Sequence, residues 1–140
     1  ITLGDASRGR VVFEGKGDCA RCHRVGGRGP RVAPELTAIG RMRPPSAIRR
    51  SILDPTGSMR PINRTVQLVT ADGTQVAGRR LNEDTYTVQL IDEEERLRSF
   101  DKADLREFTV LTESPMPSYA EDLNAQELAD LLAYLVSLKG

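Results

Sequence analysis

The period of apolar positions changes twice along the chain, dividing it into a helical front, an alternating middle and a helical end. In the front, Asp5 to Glu14 reads as a short helix: Asp5 is a suitable N-cap, Val12 and Phe13 supply apolar bulk, and Gly15 and Gly17 end it. Gly9 lies four residues before Phe13 on the same face. A glycine there weakens a helix by about 1 kcal/mol relative to alanine, which points either to the close approach of another helix or to a merely tolerated glycine. Arg24 to Arg31, rich in Gly and Arg, reads as loop, and Val32 to Arg41 begins an extended segment fixed by Pro34. A second helix is predicted over Pro45 to Leu53. Pro45 suits its first turn, Ile48 and Ile52 share a face, Arg49 and Arg50 face solvent, and Asp54-Pro55 stops it.

From Arg64 the pattern alternates. Val66, Leu68 and Thr70 point one way, Asp72-Gly73 is a strong hairpin signal, and Gln75 to Leu81 returns as a second strand. Asn82-Glu83-Asp84 predicts a turn, and Tyr86, Val88 and Leu90 alternate along a third strand. The acidic run Asp92 to Glu95 reads as a solvated turn. Leu97 to Phe100 and Phe108 to Leu111 complete five strands, with a tight turn at Asp101 to Asp104 between them. A five-strand meander with one apolar face implies a small twisted antiparallel sheet or an SH3-like barrel. It carries no His or Cys, and reads as a structural or docking insertion.

The end is the clearest helix. Asn124 and Glu127 form a capping box, and Leu123 and Leu128 are placed as a hydrophobic staple. Leu128, Leu131, Leu132, Leu135 and Leu138 make an apolar stripe flanked by Ala129, Ala133 and Tyr134.

Composition changes this picture in two ways. The 140 residues suit one domain, or one small domain with an insertion, yet only 4% are aromatic and none is Trp. So little large apolar mass leaves room for a buried group to complete the core. Net charge is zero but uneven: residues 1–60 hold 12 Lys/Arg against 5 Asp/Glu, residues 61–112 hold 7 against 10, and residues 113–140 hold 1 against 5. Such asymmetry steers partners rather than setting the fold. The arginines are scattered, without a run or interleaved aromatics, which argues against nucleic acid. No stretch is long and apolar enough for a membrane span. A chain opening at Ile1 without a signal peptide reads as a processed product or an excised domain.

Candidate chemistry is concentrated in Cys19-Ala20-Arg21-Cys22-His23, which contains every cysteine and the single histidine of the chain. C-x-x-C-H is the attachment pattern of a c-type haem: two thiols bond the porphyrin and the imidazole ligates iron. Three other readings compete. Zinc needs four ligands, and no second Cys pair or His exists to supply them. A thioredoxin-like redox pair needs a βαβ context that the pattern does not offer. A simple disulfide leaves His23 unexplained. A single histidine excludes bis-His ligation within the chain, leaving Met42, Met59 and Met116 as the thioethers.

Taken together, the chain resembles a class I c-type cytochrome. The resemblance rests on Gly9 and Phe13 before Cys19 to His23, on Ala33-Pro34-Glu35-Leu36 followed by Gly40-Arg41, and on Met116-Pro117 before a final helix ending Ala133-Tyr134-Leu135. More narrowly it resembles the planctomycete/verrucomicrobial-type haem-binding domain, in which a helix ending as Ser51 to Pro55 does here leads into a β-rich insertion. This implies a mainly α cytochrome c fold of three to four helices around haem, over residues 1–61 and 112–140, with residues 62–111 inserted and the whole α+β. It implies one haem c bound covalently through Cys19 and Cys22, with His23 and Met116 as axial ligands. Pro34 would offer its carbonyl to the other His23 nitrogen, and Arg41 would pair with a haem propionate. The terminal helices would cross closely, giving Gly9, Phe13 and Tyr134 a shared packing role. The implied function is one-electron transfer between periplasmic or extracytoplasmic redox partners, donor and acceptor, among them a dehydrogenase or a parent fusion chain. Such a protein is an electron carrier rather than an enzyme. The alternative is a haem-based sensor or redox enzyme subunit with an open distal site.

Overall fold

A computed structural model describes residues 1–140, which divide into two compact units: residues 1–58 with 116–140, and residues 59–115. The first unit is helical: α1 (Ala6–Glu14), α2 (Ile39–Met42), α3 (Pro45–Leu53), α4 (Pro55–Ser58) and α5 (Ala125–Ser137), with a 3-10 turn at Cys19–Arg21. That is five α-helices where three to four are expected. The two additional ones have four residues each, too few to show a period, and α2 replaces the end of the segment expected to be extended.

α1 and α5 begin where their caps dictate. The Asp5 side chain accepts from Arg8 N at 2.8 Å, and Asn124 and Glu127 exchange side chain-to-backbone bonds of 2.8 and 2.9 Å. These helices pack tightly, with Val12 and Phe13 of α1 and Leu131, Leu132 and Leu135 of α5 in one core with Ile48, Ile52 and Leu123. Gly9 is the point of contact. A Cβ built there would lie 1.9 Å from Asp130 O and 2.8 Å from Tyr134 Cβ, so only glycine fits. Four residues on, Phe13 meets the Tyr134 ring at a centroid distance of 5.4 Å, tilted by 60°.

Asp130 locks this crossing. It is 3% exposed, and it accepts from Asp5 N (2.8 Å), Arg8 Nε (2.9 Å) and Nη2 (3.1 Å), and Gln126 Nε2 (2.8 Å). The Arg8 fork and these amides hold the carboxyl down at about 2. A carboxylate depressed in this way contributes stability that is present above the unfolded value of about 4. That contribution is lost as pH falls through about 2. Thermal melts of wild type should therefore fall more steeply than those of Asp130→Asn between pH 4 and pH 2, while Asp130→Asn melts lower at neutral pH.

The second unit opens with a 3-10 turn at Pro61–Asn63. It continues as β1 (Thr65–Thr70), β2 (Gln75–Glu83), β3 (Thr87–Asp92), β4 (Leu97–Asp101), a 3-10 turn at Lys102–Asp104 and β5 (Leu105–Val110). All pairings are antiparallel, in the order β4-β3-β2-β1-β5. Val66, Leu68, Val76, Val88 and Leu90 are buried on one face, against Phe100, Leu105, Phe108 and Val110. The topology dictates the curvature. In a flat sheet β4 and β5 would be four strand spacings apart, about 19 Å, whereas the four-residue step from Asp101 to Leu105 spans at most about 14 Å. The sheet must therefore coil strongly on itself.

Local differences from the expected strands have physical causes. β2 continues through Asn82 and Glu83, where a turn is expected, because a register shift between Arg80 and Asn82 absorbs the irregularity. Tyr86 lies outside β3 and is 77% exposed, and β5 begins at Leu105, three residues before Phe108. Asp92 is a further correction: it belongs to the strand and is buried, accepting from Glu94 N, Arg96 N and Arg96 Nε within 3.0 Å. The Arg96 amide leads in holding its carboxyl below the usual range. Glu93, Glu94 and Glu95 are solvated as expected.

Candidate functional site

The Cys19 to His23 stretch lies directly after α1, and the end of that helix sets its course. Gly17 N returns to Val12 O at 2.8 Å, and Asp18 turns the chain with φ of 50°, a left-handed conformation that aspartate tolerates. The 3-10 turn follows, with Cys19 O accepting from both Cys22 N (3.2 Å) and His23 N (3.0 Å). One turn therefore carries both thiols and the imidazole. Neither cysteine is in a disulfide. Cys19 is half-buried, and burial, reinforced by Asp18 and Cys22, pushes its thiol up to about 11, so it is a neutral S–H at physiological pH.

A second loop orients His23. Ala33 N donates to Cys22 O at 3.1 Å and Leu36 N to Arg24 O at 2.9 Å, which lays residues 33–36 alongside residues 22–24. This brings Pro34 O to 2.6 Å from His23 Nδ1. A carbonyl only accepts, so Nδ1 carries the proton and Nε2 holds the lone pair. Gly29 permits the loop to close: its φ is 103°, and a Cβ there would lie 2.6 Å from His23 O.

Met116, partly buried and between two prolines, opens the segment that returns to α5. This segment is tied to the end of α3: Ser118 Oγ donates to Leu53 O at 2.7 Å and Tyr119 N to Ile52 O at 3.1 Å. The Tyr119 hydroxyl donates to Gly17 O, two residues before Cys19. Burial first, then the neighbouring Cys19, raises its ionisation above the usual tyrosine value, so it remains a donor. Tyr119 and Gly29 escape sequence reasoning because their partners are backbone carbonyls of other loops. The only hint for Tyr119 is an aromatic residue three positions after Met116.

Arg41, on α2, is exposed, and its guanidinium lies close to the C-terminal Gly140. Met42 is 70% exposed, and Met59 belongs to the other unit. The donor set fits a covalently attached haem. It has two thiols outside any disulfide on one turn, an imidazole whose Nδ1 is turned to a carbonyl so that Nε2 is the nitrogen for iron, and, packed on the adjoining helical core, partly buried apolar side chains that include Ala20, Val25, Leu36, Ile39, Tyr119 and Leu128. Other metal chemistry is less well served, since no three His, Cys, Asp or Glu side chains are grouped to hold an ion. All five strands lie in the other unit, so the βαβ setting of a thioredoxin-like pair is missing around these cysteines. No helix is long and apolar enough to cross a membrane.

Comparison with known proteins gives one family. The model of the family described as "Cytochrome C oxidase, cbb3-type, subunit III" matches residues 4–77, just over half the chain. The match includes Cys19, Cys22, His23, Pro34 and Arg41, and leaves Met116 and α5 outside. No curated protein matches the chain.

Proposed function

Because this chain belongs to the c-type cytochrome family that carries the cbb3-type oxidase subunit III description, we propose that it carries single electrons on one haem c, held by Cys19 and Cys22, with His23 and Met116 as axial ligands. The observation that carries this reading is the 2.6 Å contact of His23 Nδ1 with Pro34 O, which fixes the tautomer that ligation requires and makes the imidazole a better donor. Haem bound there supplies a one-electron iron couple, and the soft thioether of Met116 favours its reduced state. Were His23 and Met116 both to hold the iron, no position would be left for a substrate, which would separate a carrier from a catalyst. Donor and acceptor are extracytoplasmic redox proteins. The family description brings an oxidase complex among them, beside a dehydrogenase or a parent chain. Arg41 remains the candidate for a propionate, since an exposed guanidinium matches a carboxylate in a two-pronged bond. Residues 62–111 are read as the insertion of the planctomycete/verrucomicrobial-type domain. The ending of α3 in Ser51 to Pro55 supports this, as does the return of the chain to the first unit at Met116.

The test is the mass of the denatured protein after expression with haem-attachment machinery. One haem should remain bonded to wild type and none to the double variant Cys19→Ala/Cys22→Ala. A wild-type chain without bonded haem refutes the proposal. If ferrous wild type binds CO at once, the distal site is open and the sensor or enzyme-subunit alternative replaces the carrier.

A further inference from the structure

Tyr119 joins two parts of the site that the sequence keeps far apart. Its hydroxyl donates to Gly17 O across 102 positions. Its own amide donates to Ile52 O, and the adjacent Ser118 Oγ donates to Leu53 O. The Met116 segment is therefore held to α3 by Ser118 and by the Tyr119 backbone. The Tyr119 side chain ties the same segment to the stretch that leads into Cys19. Gly17 is buried, and the acceptor on it is a backbone carbonyl that substitution cannot remove.

We propose that the Tyr119 hydroxyl is a positioning group that latches the Met116 loop onto the Cys19–His23 turn and so sets how readily an outside ligand displaces Met116. This rests on Met116 being the axial ligand. An external ligand reaches iron only in molecules whose loop has opened, so its apparent affinity is scaled by the open fraction. Losing a single hydrogen bond should raise that fraction about three- to tenfold. The ring of Tyr119 packs against the helical core, and phenylalanine keeps that packing while removing the latch.

The experiment titrates the ferric haem-bound protein with imidazole, following the loss of the far-red absorption band of thioether-ligated haem. Tyr119→Phe should bind imidazole about three- to tenfold more tightly than wild type. Arg8→Ala is the comparison: it removes the fork on Asp130 at the α1–α5 crossing and no contact of Tyr119, and should melt lower while binding imidazole as wild type does. Unchanged affinity in Tyr119→Phe overturns the latch, and equal tightening in Arg8→Ala overturns it too by tracing the effect to general loosening. A wild-type protein lacking the far-red band removes the Met116 ligation itself and the latch with it.

Discussion

Gly9→Ala should lower the unfolding free energy by about 3 kcal/mol, at the upper end of what overpacking a core does. The added methyl would sit 1.9 Å from Asp130 O and 2.6 Å from Asp130 C, positions held by backbone rather than by a side chain that could turn away. Relief requires parting α1 from α5, which would also separate Phe13 from Tyr134 and loosen the Arg8–Asp130 fork. Alanine's better helix propensity offsets only about 1 kcal/mol. The melting temperature of a chain this size should fall by about 10 °C, and urea unfolding should give a lower midpoint with an unchanged slope. A variant as stable as wild type would mean that the two helices do not approach as described.

Met116→Leu should keep the fold and the bonded haem, since it conserves volume, while abolishing the far-red band. The reduction potential should drop on the order of 0.1–0.3 V, a fraction of the roughly 0.8 V range that axial ligands command. The direction follows from softness, because thioether sulfur stabilises the reduced iron and leucine offers nothing in its place. Potentiometry on the variant gives the shift directly. Retention of the band would move the ligand to Met42 or Met59, and with it the reading of the Pro-flanked loop.

What the sequence made legible follows the range of each interaction. α1, α3 and α5 are readable because caps, stops and apolar stripes act within four residues, and the Asn124–Glu127 box is present as the pattern implies. The five strands are readable from alternation, but β5 loses its first half to the charged pair Arg106-Glu107. Asp130 hides inside an apolar stripe, since nothing local announces that Arg8 and the Asp5 amide will meet it 122 and 125 positions away. At the site, the thiols and imidazole are visible as a local motif. Pro34 is marked by family resemblance alone, because a loop carbonyl leaves no periodic trace. Tyr119 shows only as an aromatic residue three positions after Met116, with nothing local to mark its partner.

The two units also differ in when they can be completed. Each strand of the sheet pairs within one continuous stretch, residues 59–115, so this unit can form as soon as that stretch has emerged. The helical unit cannot, because α1 closes only on α5, the last helix made. Contacts of such long sequence separation form late. Until then the core around Val12 and Phe13 lacks its α5 side, and Cys19 is less covered than in the finished protein, where it is half-buried. Cys19 packs against the core that α5 completes, so a thiol that is to be bonded to haem is best reached before α5 docks.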